Sequence, residues 1–298
     1  MLKNAFVTAA NGAQGNAIVK QLSNVGLQVF ALVREEPQTQ RNNVTPIIGD
    51  LDNVNNLKEG MKSAEVAVIT LPLMFDKQIA RTWVDNLIEA IKASDLKQII
   101  FNASGPLPST FVDVIAVDIK VEAANRLRET GVPITFVATT LYLGNLTAPW
   151  TAPAIMNQNV LAYPMPAAQK VAWTSWEVVG SAIVNLIGKI EYTGETIIAA
   201  GNESVDGKAL SEAFSKQIQQ PVQYLPVALA DFSAGLSQMM GEVAGSEIGK
   251  LYHWLHNDGA NYLSDGSNAN PESFSYPQAS LSEWIAAQDW KTLGANHE

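Results

Sequence analysis

The feature that most constrains the fold is an alternation over the first 140 residues. Short runs that are apolar almost from end to end take turns with longer segments in which apolar residues recur every three or four positions. The runs are NAFVTAA (4–10), LQVFALV (27–33), VTPIIGD (44–50), EVAVITLP (65–72), LKQIIFNAS (96–104) and VPITFVATT (132–140). A strand that is apolar throughout, rather than alternating, is buried on both faces. Between the runs, Ile18, Leu22 and Val25 mark one helix face. Val54, Leu57 and Met61 mark a second, Ile79, Trp83, Leu87 and Ile91 a third, and Ile119, Ala123 and Leu127 a fourth. Gly26 and Gly131 supply stop signals. Strands separated by helices imply right-handed crossovers and a parallel sheet. Six of them predict an α/β fold, a doubly wound parallel sheet of dinucleotide-binding (Rossmann) type.

After Asn145 the rhythm breaks. TAPWTAPAIMNQNVLAYPMPAAQ (147–169) has four prolines and no clear period. Residues 174–190 read as a helix, 194–201 as a strand, 205–218 as a helix and 221–227 as a short strand. Residues 228–256 read as helical, with a loop-rich tail in which SDGSNANPESFS (264–275) is an exposed loop. The expected division is a dinucleotide-binding domain over 1–147, its sheet completed by 172–201, and a smaller, less regular C-terminal lobe over 148–298 that binds substrate.

Charge and composition exclude several functions. The formal net charge is −10, the opposite of a nucleic-acid binder's basic footprint. There is no cysteine, which removes disulfides, thiolate metal sites and cysteine nucleophiles. No apolar run reaches the roughly 18 residues needed to span a bilayer, and the start of the chain lacks the pattern of a signal peptide. The sequence reads as a soluble cytoplasmic protein with no nucleic-acid or membrane partner.

The first turn carries the chemistry. In TAANGAQGNA (8–17) a strand end meets a helix start through a loop with two glycines, Gly12 and Gly15. A phosphate loop needs a tight turn, close backbone approach and a helix N-terminus aimed at the anion. Gly12 and Gly15 serve close approach and packing, and Asn11 tolerates unusual backbone angles. Ala9 stands where such loops usually have their first glycine, and it is expected to hold φ negative. The acidic residue that would bind the ribose of NAD is replaced at the second strand's end by Val33, followed by Arg34. A guanidinium matches a phosphate, so Arg34 favours NADP(H) over NAD(H), while Glu35 and Glu36 keep NAD as the alternative.

Several segments together resemble the NmrA-like family of atypical short-chain dehydrogenase/reductases. VTAANGAQGNAIVKQL (7–22) is similar to the family's V-T-G-A-T-G-x-x-G-x-x-V-V-x-x-L opening. VREEP (33–37), IIGDLDN (47–53), KVEAANRLRETGVPITFVATTLYLGNL (120–146) and QKVAWTSWEVVGSAIVNLI (169–187) follow in family order, over about residues 2–200. The resemblance implies that Gly12, Gln14 and Gly15 line the pyrophosphate, with Thr8 at the strand end and Asn11 also among the cofactor-binding residues, and that Arg34 reads the 2′-phosphate. It implies that Asp50 and Leu51 flank the adenine, and that Thr70, Leu71 and Pro72 run beneath the adenosine ribose toward the nicotinamide. Ala103 and Ser104 then sit at the fifth strand's end, and Lys120 holds the nicotinamide ribose. The stretch from Thr139 to Tyr142, with Thr140, follows the sixth strand beside the nicotinamide.

The departures matter as much. Related reductases pair this lysine with a tyrosine four residues earlier, which donates a proton to substrate. That position is Ala116. Lys120, Tyr142 and Ser104 remain as catalytic candidates: Tyr142 as a proton donor or a pocket-lining aromatic, Ser104 as a carbonyl-holding hydroxyl or a turn cap. Lys120 itself reads either as a solvated helix lysine between Asp118 and Glu122 or, on the bare face made by Ala116 and Ala124, as a ligand residue. Trp150, Tyr163, Trp173 and Trp176 either wall a flat apolar substrate or pack the smaller lobe. His253 and His256 stand three apart on one helix, without an evident third metal ligand. No metal is expected. The leading reading is an NAD(P)H-dependent oxidoreductase that transfers hydride to a small quinone or carbonyl compound. The alternative is a non-catalytic NAD(P)-sensing regulator that binds a protein partner.

Overall fold

The computed structural model describes residues 2–36, 41–264 and 270–295. Along the chain the elements are β1 (Asn4–Val7), α1 (Ala13–Asn24), β2 (Gln28–Val33), β3 (Val44–Ile48), α2 (Val54–Met61), β4 (Val66–Thr70), α3 (Lys77–Lys92), β5 (Gln98–Asn102), α4 (Ile115–Arg128) and β6 (Ile134–Thr139). There follow α5 (Ala152–Gln158), β7 (Val160–Tyr163), α6 (Trp176–Leu186), β8 (Thr196–Ala199), α7 (Gly207–Ile218), β9 (Gln223–Pro226), α8 (Leu229–Met240), α9 (Glu242–His256), α10 (Asn261–Ser264), α11 (Leu281–Ala286) and α12 (Trp290–Leu293). No helix among the described residues is long and apolar enough to cross a membrane.

The chain forms two compact units. The first comprises Met1–Thr139, Trp176–Ala199 and Asn270–Pro277; the second comprises Thr140–Ser175, Ala200–Ala269 and Gln278–Glu298. The chain thus leaves the first unit at Thr139, before residue 147, and returns to it twice.

The first unit is a seven-stranded sheet in the order β3-β2-β1-β4-β5-β6-β8, every pairing parallel. This is the doubly wound arrangement, with the strand order reversing between β1 and β4. Strands β4, β5 and β6 are buried along their whole length, as their unbroken apolar runs require. Pro46 sits in β3, which is an edge strand and so tolerates a missing N–H. One core cluster joins Phe6, Ile69, Phe101 and Phe136 of the sheet to Leu57, Trp83, Leu87, Ile119 and Leu127 of α2, α3 and α4. Two residues of the expected helix faces are exposed: Val25, 55% exposed beyond the end of α1, and Ile79, 41% exposed, with Ala80 taking its place in the core.

The edge at β8 is closed by a side chain. Asn270 accepts a hydrogen bond from Ile198 N at 2.6 Å and donates to Ile198 O at 2.9 Å, as the backbone of a neighbouring strand would. Phe274 and Tyr276 are buried beside it. Within the segment expected to be an exposed loop, Glu272, Ser273 and Ser275 are exposed, while Phe274 is buried and Asn270 and Pro271 are half-buried; 265–269 lie outside the described residues.

The second unit has a two-stranded parallel sheet, β7 with β9. Its helices α8 and α9 replace the single helical stretch expected over 228–256. The break is Gly241, at φ +91°, a conformation closed to most side chains. The elements α5 and β7 arise where no period was visible, and α10, α11 and α12 where the tail read as loop. Residues 174–190 give a shorter helix, α6, followed by a 3₁₀ turn at Ile190–Tyr192.

Candidate functional site

The turn after β1 is built on an unexpected backbone conformation. Ala9 lies at φ +53°, in the left-handed region, not at the negative φ expected of an alanine. It keeps the conformation that a glycine would have supplied, at a cost of about 1 kcal/mol. The carbonyl of Ala9 faces α1: a Cβ on Gly15 would fall 2.1 Å from it, so only glycine fits there. Gly12 N donates to Ala9 O at 3.2 Å, Ala10 N to Leu32 O at 3.2 Å, and Asn11 Nδ2 to Glu35 O at 3.2 Å. Helix α1 then begins after Gly12 with no side-chain cap. A loop of minimal side chains closing onto an uncapped helix N-terminus fits a pyrophosphate, whose charge the first-turn N–H groups would meet.

A buried hydrogen-bond network fixes this loop to the neighbouring strand ends. Thr8 Oγ1 donates to Thr70 O and accepts from Thr70 N, both at 2.8 Å, which locks β1 to β4. Asn102, fully buried at the end of β5, donates to Gln14 Oε1 at 2.6 Å and to Thr70 Oγ1 at 3.1 Å. Its Oδ1 accepts from Ser104 N at 3.1 Å. Ser104 is itself left-handed, at φ +54°. Two strained turns, after β1 and after β5, thus share one polar hub at the strand ends where the strand order reverses. Sequence reasoning missed Asn102. Nothing in the sequence set it apart, since the same strand opens on a second amide, Gln98.

Lys120 comes from α4 and is buried, not a solvated helix lysine. Its Nζ donates to Leu71 O at 2.7 Å, just past the end of β4. The flanking acids are used elsewhere. Asp118 accepts from Val112 N at 2.9 Å and lies 3.6 Å from Lys77, and Glu122 pairs with Arg81 at 2.7 Å. Burial without a carboxylate partner pushes the Lys120 ammonium down to about 7. Ala116, one turn earlier, is half-buried and offers no phenol.

The other expected site residues divide by location. Arg34 is exposed directly after β2 and makes no ion pair among the described residues with Glu35 or Glu36. A second guanidinium, Arg41, which sequence reasoning missed, donates to Asn16 Oδ1 on the first turns of α1 at 3.3 Å. Asp50 is exposed and receives Asp52 N at 3.1 Å; Leu51 is buried, with its carbonyl held by Asn86 at 2.9 Å. Pro72 is exposed, and Ala103 is buried with its N–H on Val137 O at 2.8 Å. All of these belong to the first unit.

Thr140 and Tyr142 belong to the second unit. The Thr140 hydroxyl donates to Ala172 O, and Tyr142 forms a backbone bridge with Thr174. Tyr163 and Trp173 are buried there, edge to face with centroids 5.0 Å apart, while Trp150 is half exposed. The Tyr163 hydroxyl meets Tyr252 at 2.6 Å and Asn145 at 3.1 Å, and burial raises it to about 12, which unsuits it for proton donation. Trp176 opens α6 in the first unit. His256 Nε2 lies 2.7 Å from Pro164 O, and no cluster of three or more metal-ligating side chains occurs among the described residues.

Comparison with known proteins places this geometry. Solved structures with the same fold include NmrA, a negative transcriptional regulator in complex with NAD (TM-score 0.73, 18% identity, 97% of this chain and 99% of that one). An NADPH-dependent quinone oxidoreductase from Escherichia coli, complexed with NADPH, gives a TM-score of 0.72 at 21% identity over 95% of this chain and 98% of that one. The triphenylmethane reductase of Citrobacter sp., complexed with NADP(H), gives 0.70 at 16% identity over 97% and 98%. No curated protein matches by sequence. The family model described as the NmrA-like family matches residues 1–285. The chain, with its NAD(P)-binding type of fold, therefore belongs to the NmrA-like family.

Proposed function

We propose that this protein is an NAD(P)H-dependent oxidoreductase, with NADPH the preferred donor and a small quinone or carbonyl compound the acceptor. The observation that carries the reading is Lys120: a buried lysine without a counter-ion among the described residues, titrating near neutrality, beside the Thr8–Thr70–Asn102 hub. A lysine with no other task is rarely kept in such surroundings. A bound reduced nicotinamide would supply the hydride. Gly12, Gly15 and the start of α1 would hold the pyrophosphate, and Arg34 the 2′-phosphate.

The chain's own part is orientation and proton delivery. Reduction of a quinone to its hydroquinone consumes one hydride and one proton. Lys120, as the ammonium, can release that proton and return to the ammonium from solvent. The missing phenol at Ala116 makes this the nearest acid on α4. A quinone suits such a site, because its reduced oxygens are weakly basic and ask little of an acid.

Ala116 also supports a second reading, a dinucleotide-sensing regulator without turnover. Mixing the purified protein with NADPH and a panel of quinones, and following the nicotinamide absorbance, separates the two. Acceptor-dependent NADPH oxidation is expected. Tight NADPH binding with no oxidation by any acceptor would establish the regulator instead.

A further inference from the structure

A second cavity lies in the first unit, away from the glycine loop. It has a volume of about 140 Å³ and is bounded by Val121, Ala124, Asn125 and Arg128 of α4, by Ser109 and by Thr196. Arg128 ends α4 and Thr196 begins β8, while Ser109 belongs to the connection that leaves the C-terminal end of β5, so the cavity runs beside α4. None of the hub residues Thr8, Thr70 and Asn102 bounds it.

The cation at this cavity is held in place yet unneutralised. The Arg128 guanidinium lies over the ring of Phe136, its central carbon 4.1 Å from the centroid. One of its nitrogens donates to Asn125 Oδ1 at 2.7 Å. Stacking and this bond fix its plane, and a guanidinium has five N–H donors. Arg128 makes no ion pair among the described residues; of the acids next in sequence to the lining, Glu129 and Glu195 are exposed and do not bound the cavity, and Glu122 is paired with Arg81. Arg128 and Asn125 are exposed, so the guanidinium is solvated on its open side, and its oriented free N–H groups there can receive a carboxylate.

The walls choose among anions. Val121 and Ala124 are apolar and buried, and Ser109 and Thr196 add hydroxyls. A cavity of roughly 150 Å³ holds a benzene ring. We infer that this pocket binds a small organic carboxylate with an apolar body, of about the size of benzoate, its carboxylate on Arg128 and its body against Val121 and Ala124.

Calorimetric titration of the full-length protein with benzoate tests this. Saturable binding is expected, weakened at least about tenfold in Arg128→Gln and in Ser109→Leu, which fills the cavity from an exposed position. Benzyl alcohol, lacking the charge, and inorganic phosphate, lacking the body, should each bind at least about tenfold more weakly than benzoate. NADPH affinity should be unchanged in both variants. Absence of saturable benzoate binding, or equal binding by Ser109→Leu, would overturn the site even if Arg128→Gln does not fold. Phosphate binding as tight as benzoate would overturn the ligand class.

Discussion

The two units reach a packed core by different means. In the first, the core follows from repetition: buried strands of one polarity, each followed by a helix with one apolar face. Its chemistry-bearing residues are then placed by where strands end. In the second, packing rests on individual contacts. Tyr163 is wedged between Trp173 and Tyr252, and Phe214 meets Trp290 with centroids 5.0 Å apart. Helices α8 and α9 touch through small residues: a Cβ on Gly245 would lie 2.2 Å from Ser237 Oγ. In the first unit, the proposed function hangs on backbone geometry at turns. In the second, stability hangs on the size of single side chains.

The sharpest way to break this contrast is to overfill one close contact in each unit. Gly15→Val forces atoms into the Ala9 carbonyl, which cannot retreat without moving the loop. NADPH affinity should fall more than about 100-fold, alongside a stability loss of about 1–3 kcal/mol. Gly245→Val should cost a similar amount of stability while the folded protein keeps its NADPH affinity. The checks are a dinucleotide fluorescence titration and urea unfolding. Wild-type affinity in Gly15→Val would remove the glycine loop from the site.

Lys120→Met comes next, and it separates chemistry from packing. Acceptor reduction should drop about 10²–10⁴-fold, the range for loss of a general acid. Stability should move the other way. Lys120 is lowered from 10.5 to about 7 on folding, so between those pH values the unfolded chain binds more protons than the folded one. The wild type therefore gains stability as pH rises from about 7 toward 10.5, and below 7 it bears the full burden of a buried charge. The methionine variant should be the more stable protein at pH 6, with its advantage shrinking by pH 9, as followed by urea unfolding at each pH. A pH-independent difference would show that the lysine stays charged in the fold.

The same contrast explains what could be read from the sequence. The strands of the main sheet and the glycine turn were legible because burial on both faces and close approach each leave a compositional mark. Lys120 was legible as a position, but its burial was not, since burial depends on Glu122 and Asp118 being claimed by Arg81, Lys77 and a backbone N–H from other segments. Asn102 and Asn270 were illegible for a related reason. An asparagine that closes a network or an edge strand looks like any loop asparagine until its partners are known. The second unit's α5 and β7 carry no period because each buries only one or two residues of a short segment.

Arg34→Gln should weaken NADPH about tenfold and leave NADH within about twofold, as one charge-assisted phosphate contact implies. Arg41→Gln should act in the same direction with a smaller ratio, because Arg41 is already engaged with Asn16. Steady-state titration with both dinucleotides reads the ratio. Equal loss for NADPH and NADH in Arg34→Gln would show that another group sets the preference.

The smallest effect probes left-handed residues common to both units. Ala9 at φ +53° lies in the turn after β1 in the first, and Gln219 at φ +57° caps α7 in the second. Glycine adopts this conformation without the Cβ clash, but loses more chain entropy on folding. The balance favours each glycine variant by about 0.5 kcal/mol. Gln219→Gly should gain that stability and nothing else. Ala9→Gly should gain it while changing NADPH affinity by up to about threefold, because the Ala9 carbonyl sets the distance between loop and helix. If Ala9→Gly is instead the less stable protein, the alanine is not strained there, and the turn is held by the Thr8–Thr70 lock alone.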